Sequence, residues 1–378
     1  MKKRLLFLHS NLDIGGAAMM RLTALRKIDR SKYDIKICCL VRKGRLGEEA
    51  EKMGYVVDIL QVSDALYNIF TTFKLFRYIK RNRFAIVQSS LFHANFHARI
   101  AARLAAVPII ITEEHGEHYI FKRLKFVPFV LVDRTLSLIT DRIICCVGQM
   151  KESLVRIEHI RAEKVEVITN AVDEDNFSNI RPKSEVRAEL GVGDDFRLIG
   201  TIGTLRIDKA QHVLLRAFSE IIKTFPDLNL LVVGDGPLRE NLQNTARDLG
   251  IAKRVIFTGH RLDVADLLNV MDIFVLSSKK EGLPLPLLEA MYMGIPCVVP
   301  RIGGIPDVVE NGQTGYLFEF PDHQELSNRV LQLLQDRQLA LKMGQAGREK
   351  AQKDLTSGRY AGQLMQLYER LLIKKGLN

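Results

Sequence analysis

Glu281-Gly282-Leu283-Pro284-Leu285-Pro286-Leu287-Leu288-Glu289-Ala290-Met291-Tyr292-Met293-Gly294 is the stretch that decides the reading of this chain. The apolar run Ile273 to Leu276 leads through Ser277-Ser278-Lys279-Lys280 into this Gly/Pro turn, and an apolar pattern of helical spacing follows. The order is strand, loop, helix start. A helix start leaves backbone N–H groups without intrahelical acceptors and carries a partial positive charge, so it favours a phosphate. Pro284 and Pro286 lack an amide hydrogen, which leaves Gly282, Leu283 and Leu285 as the donors. Glu281 ends the loop and Glu289 falls two turns into the helix, so the two carboxylates serve different hydroxyl groups.

Working outward, the second half opens with the strand-like Leu198 to Gly203 and the loop Thr204-Leu205-Arg206-Ile207-Asp208-Lys209-Ala210. Arg206 and Lys209 bracket that loop, and two cations so placed can neutralise a diphosphate. Val213, Leu214, Leu215, Ala217, Phe218, Ile221 and Ile222 then give a helix with an apolar face for a sheet. Leu230 to Val233, Val255 to Gly259 and Cys297 to Val299 are further strands ending in or near glycine turns.

The first half alternates in the same way. Leu5 to His9, Ile35 to Val41, Val56 to Leu60, Ala85 to Gln88, Ile109 to Thr112 and Arg142 to Val147 are its apolar runs. Such alternation predicts a parallel sheet with helices on both faces and ligands at the carboxyl ends of the strands. Gly15-Gly16 follows the first strand and lets backbone approach a ligand closely. His115 follows the fifth, in Thr112-Glu113-Glu114-His115-Gly116, with His118 as the second choice.

The sequence resembles the family-4 retaining glycosyltransferases, whose mark is two glutamates separated by seven residues, a helix of small residues and Gly-x-Pro. Glu281, Glu289, Gly294 and Pro296 fit that pattern. Gly203, Leu205 and Lys209 fall in register with the family's Gly-Arg-Leu-x-x-x-Lys-Gly element, with Thr204 for its arginine and Ala210 for its second glycine. Val165 to Asp173 looks like the interdomain Asn-Gly-Val-Asp segment, with Ala171 for glycine, and Ala18 stands where members commonly carry the glutamate of Gly-Gly-x-Glu. The resemblance implies the GT-B arrangement, an α/β fold of two doubly wound Rossmann-like domains facing a cleft. Residues 1–175 form the acceptor domain, 176–355 the nucleotide-sugar domain, and 356–378 a helix packing back on the first.

The resemblance also implies the chemistry, which is transfer of a sugar from a nucleotide sugar with retention at the anomeric carbon. Lys209, Arg206 and the helix start at Gly282 would stabilise the leaving phosphate, Glu281 would hold the sugar and Glu289 the ribose. Gly16 would contact the donor and His115 the transferred sugar. The donor is expected to be a UDP-sugar, with a GDP-sugar as second choice, and the acceptor a glycan or a lipid-linked molecule of bacterial surface polysaccharide or lipopolysaccharide synthesis. An epimerase or a phosphorylase on the same fold is the alternative enzyme, and a non-catalytic, basic membrane-binding protein the alternative outside catalysis.

Bulk properties bound these readings. The 378 residues predict two domains, and 47% hydrophobic with 26% charged residues is a globular composition. Cys38, Cys39, Cys145, Cys146 and Cys297 lie in apolar runs without metal or redox spacing, which predicts buried thiols and a cytoplasmic setting. Asp173-Glu174-Asp175 has D-x-D spacing but falls on the linker, so no metal and no other cofactor is expected. Gly15-Gly16 lacks the three-glycine fingerprint of a NAD enzyme.

The net charge of +11 is uneven, with +9 in residues 1–175 and +2 in the remainder. Residues 65–83 mix Phe70, Phe73, Phe76 and Tyr78 with Lys74, Arg77, Lys80, Arg81 and Arg83 and contain no acid, and residues 119–139 repeat the theme. Basic aromatic helices of this kind suit an anionic membrane interface, here the cytosolic face of an inner membrane. No RNA-binding motif accompanies them, so no nucleic-acid partner is expected.

Overall fold

The structure, a computed structural model that describes residues 2–63, 68–115, 123–193 and 195–377, divides into two units. One comprises Met1–Ala171 with Ser357–Asn378, the other Val172–Thr356.

The first unit is built on a sheet of β1 (Lys3–His9), β2 (Tyr33–Cys39), β3 (Val56–Ile59), β4 (Ile86–Ser90), β5 (Ile109–Glu114), β6 (Arg142–Cys145) and β7 (Val165–Val167). Its order is β3-β2-β1-β4-β5-β6-β7 and every pairing is parallel. Strands covered on both faces read as unbroken apolar runs, which is why Leu5 to Leu8 and Ile109 to Ile111 are fully withdrawn from water. Leu6, Leu8, Val87 and Ile110 pack on Leu75, Ile79, Ala94, Ala98 and Ala101 of the helices Ile69–Asn82 and Phe92–Leu104.

The helix Ser357–Lys374 belongs to the same unit. Tyr360, Leu364, Leu367, Tyr368 and Leu371 recur at helical spacing and are all buried. The Tyr368 hydroxyl donates to Gln88 Oε1 on β4, and its ring meets Tyr33 edge-on at 5.6 Å.

The second unit holds β8 (Arg197–Ile202), β9 (Leu228–Val233), β10 (Val255–Gly259), β11 (Ile273–Val275), β12 (Cys297–Pro300) and β13 (Tyr316–Phe318), in the parallel order β10-β9-β8-β11-β12-β13. Leu214, Leu215, Phe218 and Ile221 of the helix Gln211–Thr224 pack on Ile199, Leu230 and Val232. Residues 172–175, read in the sequence with the first domain, group with this unit, because the backbone of Val172 bonds to Leu355 and bridges Thr356.

All five cysteines are buried and unbridged, and burial pushes the Cys39 and Cys145 thiols up to about 12. Among the described residues no helix is long and apolar enough to cross a membrane. His118 and the side chains of residues 119–129, which carry the second basic aromatic segment, lie outside the described residues.

Candidate active site

The order of the second sheet reverses between β8 and β11, which are neighbours although two strands separate them in the chain. In an open parallel sheet, ligands bind outside the carboxyl ends of strands at such a switch point. The loops leaving β8 and β11 supply the residues found there.

Lys209 on the first loop and Glu281 on the second meet with Nζ 2.7 Å from Oε2. The Ser278 hydroxyl donates to the other carboxylate oxygen at 2.6 Å. The side chains are 22% and 6% exposed, so the pair is largely withdrawn from water and each charge depends on the other. Backbone and hydroxyl groups lock the two loops together. Lys279 and Lys280 donate their N–H groups to Asp208 O at 2.8 and 3.3 Å, and Ser277 Oγ donates to the carbonyls of Lys209 and Ala210 at 3.3 and 3.2 Å.

Ala210 occupies the left-handed region at φ 47°, where the family pattern has glycine. A residue with a Cβ costs about 1–2 kcal/mol in that conformation. The anchoring of its carbonyl by Ser277 holds it there.

Arg206, expected as the second cation beside Lys209, is placed differently. Its side chain is more than half exposed, and Nε and Nη2 lie 3.1 and 2.8 Å from the Asp208 carboxylate. The spacing of two residues puts that carboxylate within reach of the guanidinium. Arg261, on the loop that follows β10, is likewise engaged, by Asp263 and Glu189.

Gly282 and the helix Leu285–Tyr292 follow Glu281 directly, with Pro284 as the N-cap. Leu285 is the first helical residue, and Leu283 is buried. The backbone of Ile302–Ile305 presses on this turn. Gly304 N–H donates to Gly282 O at 2.7 Å, and a Cβ on Gly303, at φ 53°, would lie 2.0 Å from Glu281 O.

Glu289 lies half-buried on the helix, and its carboxyl is raised to about 7, first by burial and then by the charge of Asp173. Asp173 is itself buried. The sequence reading took Asp173 for part of a linker. A buried carboxylate close to another in a parallel α/β unit points instead to a built site.

Two predicted site residues belong to the first unit. Gly16 opens the helix Gly16–Lys27, is exposed, and has nothing within 4 Å of the position a Cβ would take. His115 follows β5, half-buried, with Nε2 3.3 Å from Glu113 Oε2. Behind it lies a cluster that the sequence reading missed. Glu113 is buried against Arg21 Nη2 at 2.6 Å and also accepts from Ser90 and Gln88, while Arg21 Nε contacts His9 Nε2 at 3.1 Å. Among the described residues no group of three or more His, Cys, Asp or Glu is placed to hold a metal.

Comparison with known proteins agrees with this geometry. The Glycosyl transferases group 1 family matches residues 182–350, and the Glycosyltransferase Family 4 model matches residues 14–176, so the two take in most of the chain. The UDP-Gal:alpha-D-GlcNAc-diphosphoundecaprenol alpha-1,3-galactosyltransferase of Escherichia coli is 26% identical over 373 residues, covering 96% of this chain and 95% of that protein. The N-acetyl-alpha-D-glucosaminyl L-malate synthase of Bacillus anthracis is 33% identical over 225 residues, 59% of this chain and 58% of its own. The HepE protein of Anabaena, solved with UDP, superposes with a TM-score of 0.85 at 22% identity over 98% of this chain and all of that one. Its complex with UDP-glucose gives 0.83 at 21% identity over 97% and 99%. These likenesses show the GT-B fold, and with both family models matched the chain belongs to glycosyltransferase family 4 and is a glycosyltransferase.

Proposed function

We propose that this chain moves a sugar from a nucleoside diphosphate sugar, a UDP-sugar first, to a glycan or lipid-linked acceptor with retention at the anomeric carbon. The observation that carries the reading is the Lys209–Glu281 pair at the switch point, beside the start of the helix Leu285–Tyr292. A cation, a carboxylate and the first amides of a helix at one switch point suit the diphosphate and the sugar of a single ligand. The UDP and UDP-glucose bound in the HepE structures, and the UDP-galactose in the name of the E. coli relative, support UDP as the carrier.

In this reading Lys209 neutralises the diphosphate, helped by the N–H groups of Gly282, Leu283 and Leu285. Arg206 joins it by exchanging Asp208 for a phosphate oxygen. Glu281 accepts hydroxyl groups of the sugar, Glu289 those of the ribose, and Gly16 leaves room for close approach. The acceptor lies on the first unit, where His115 contacts a substrate hydroxyl. As the bond from the anomeric carbon to the phosphate oxygen breaks, negative charge grows on that oxygen, where Lys209 stabilises it. The acceptor oxygen bonds to the anomeric carbon on the same face, and its proton passes to the departing phosphate. No metal takes part.

The undecaprenyl-linked acceptor in the name of the E. coli relative supports a substrate presented at a membrane, and with it a role in bacterial surface polysaccharide assembly. The helix Ile69–Asn82 offers a surface for it. Ile69, Phe70 and Phe73 are exposed beside Lys74, Arg77, Lys80 and Arg81, with no acid on the helix, so an anionic bilayer complements it in charge and polarity. A protein docked in this way would be peripheral on the cytosolic face.

The test is a thermal-shift panel with UDP, GDP, ADP, CMP and NAD, since a ligand that binds only the folded state raises the melting temperature. Transfer from the selected UDP-sugar to a lipid-linked acceptor follows, with the anomeric configuration of the product read by NMR. A shift with UDP that is lost in Lys209→Ala supports the reading, and so does a retained configuration. No shift with any nucleoside diphosphate, or donor turnover without acceptor, overturns it.

A further inference from the structure

Glu113 and His115 stand two residues apart at the end of β5, a spacing that puts both on one face. Glu113 Oε2 takes the Arg21 guanidinium at 2.6 Å and the Ser90 hydroxyl, and His115 Nε2 lies 3.3 Å away. The other oxygen accepts from Gln88 Nε2, and Gln88 Oε1 is held in turn by Tyr368 of the helix Ser357–Lys374. Arg21 is fully buried, lies over the Phe7 ring at 3.7 Å, and has His9 as a further acceptor. Every group that orients Glu113 is therefore fixed by a buried partner.

The charge state of this cluster follows from its contacts. Burial alone would raise the Glu113 carboxyl, but the Arg21 guanidinium and the contact with His115 hold it well below the usual carboxylate range. Burial and Arg21 lower His9 to about 3, so His9 is a neutral acceptor. An ionised carboxylate can only accept, so the His115 nitrogen facing it carries a hydrogen. In a neutral imidazole the lone pair is then on Nδ1. That atom is buried and has no hydrogen-bond partner among the described residues. A buried acceptor left unmade costs about 1–3 kcal/mol, and its persistence calls for an explanation.

We propose that Glu113 is a positioning residue that fixes His115 as the Nε2–H tautomer and so presents Nδ1 as the acceptor for a hydroxyl of the sugar substrate. This rests on the glycosyltransferase reading of the chain. Glu113 itself touches no substrate. Its role resembles that of a carboxylate that orients a catalytic imidazole, where the wrong tautomer is costly even with the geometry intact.

The direct test is long-range 1H–15N correlation on 15N-histidine-labelled protein at neutral pH, with His115 assigned by the signal lost in His115→Gln. The expected result is a bare Nδ1 and a protonated Nε2, with the Nδ1 signal moving on addition of UDP-glucose or UDP-galactose but not of UDP alone. A protonated Nδ1, or an Nδ1 signal that neither sugar nucleotide moves although UDP binds, overturns the proposal. Kinetics give a second test. Glu113→Gln frees the tautomer and is expected to lower kcat about ten- to a hundredfold with donor KM within about twofold. The double variant Glu113→Gln/His115→Asn should be no slower than His115→Asn, whereas additive losses sink the idea. Should Glu113→Gln fail to fold, because it strands the Arg21 charge, the spectrum of the unmodified protein still decides. Absence of any UDP thermal shift in that protein would remove the glycosyltransferase reading, whereas UDP binding with a protonated Nδ1 removes only this proposal.

Discussion

Lys209 Nζ meets Glu281 Oε2 at 2.7 Å across 72 positions of sequence, so the cation assigned to the diphosphate and the carboxylate assigned to the sugar hold each other before a donor arrives. Donor binding must then divide the pair, the ammonium turning to phosphate and the carboxylate to hydroxyl groups.

That division gives the two members opposite signatures. Lys209→Ala should abolish the UDP-induced thermal shift and lower kcat/KM by about 100- to 1,000-fold, the usual loss for one charge-stabilising donor. Glu281→Gln should keep or strengthen the UDP shift, because Lys209 is released from its partner, while kcat falls by a similar factor. Thermal shift and steady-state kinetics on the two variants check both. A full UDP shift in Lys209→Ala would show that the diphosphate lies elsewhere.

Glu289 makes the molecule sensitive to pH near neutrality. Its carboxyl titrates at about 7 when folded, against an ordinary value of 4.5, through burial and the Asp173 charge. Between those values the native state holds a proton that the unfolded chain has lost. Its contribution to stability is therefore fully present below pH 4.5 and is lost as pH rises through about 7. The ionised carboxylate is the stronger acceptor for ribose hydroxyls, so UDP affinity should move the other way and rise across the same window. Calorimetry on wild type and Glu289→Gln at pH 5.5 and 8 checks this, because the difference between the two proteins cancels the titration of UDP itself. Parallel curves for the two proteins would remove Glu289 from the ribose.

How much of this was legible in the sequence depended on whether the relevant distance was local. The alternation of apolar runs with helices gave two parallel sheets, because strands covered on both faces carry that signature without reference to their neighbours. The Glu281 and Glu289 spacing lies on one loop and one helix, and it was read directly. The partner of Lys209 was not, because β8 and β11 become neighbours only through the reversed strand order. Arg206 is read by nearness to a pattern, and that reading does not show its pairing with the Asp208 carboxylate two residues on. Arg21 and Glu113 left no trace at all. Charged residues are rarely buried, and only the tertiary contact that pairs them lets these two go where a sequence reading would place apolar ones.

Gly303 tests the architecture of the donor turn apart from its charges. A methyl group there would lie 2.0 Å from Glu281 O and 2.9 Å from Gly282 O, on a backbone already in the left-handed region. Gly303→Ala is expected to cost about 1–3 kcal/mol in stability. It should weaken the UDP shift as well, because the strain is relieved by moving the backbone that carries Glu281. Ala substituted at Gly312, which also has a positive φ but nothing within 4 Å, should cost stability without touching the UDP shift. Chemical denaturation and UDP titration of the two variants separate the effects, and equal UDP responses would mean that the turn does not shape the donor site.

The helix Ile69–Asn82 carries the last prediction. Leu75 and Ile79 are buried against the sheet, which leaves Ile69 and Phe70 more than three-quarters exposed or nearly so and Phe73 more than half, at 75%, 77% and 56%. Three large apolar side chains thus stand in water beside four basic ones, Lys74, Arg77, Lys80 and Arg81. Insertion of a Phe into an interface removes apolar area worth about 25 cal/mol per Å², and each cation near an anionic surface adds about 1 kcal/mol. Phe70→Ser/Phe73→Ser should therefore weaken co-sedimentation with phosphatidylglycerol vesicles at least about tenfold, and raised salt should weaken the unmodified protein's binding by screening. Leu341, 57% exposed on the other unit, supplies the control, because Leu341→Ser removes a comparable apolar side chain away from the basic helix. Equal binding to neutral phosphatidylcholine vesicles, or an equal loss in Leu341→Ser, would assign the exposed aromatics to something other than an anionic membrane.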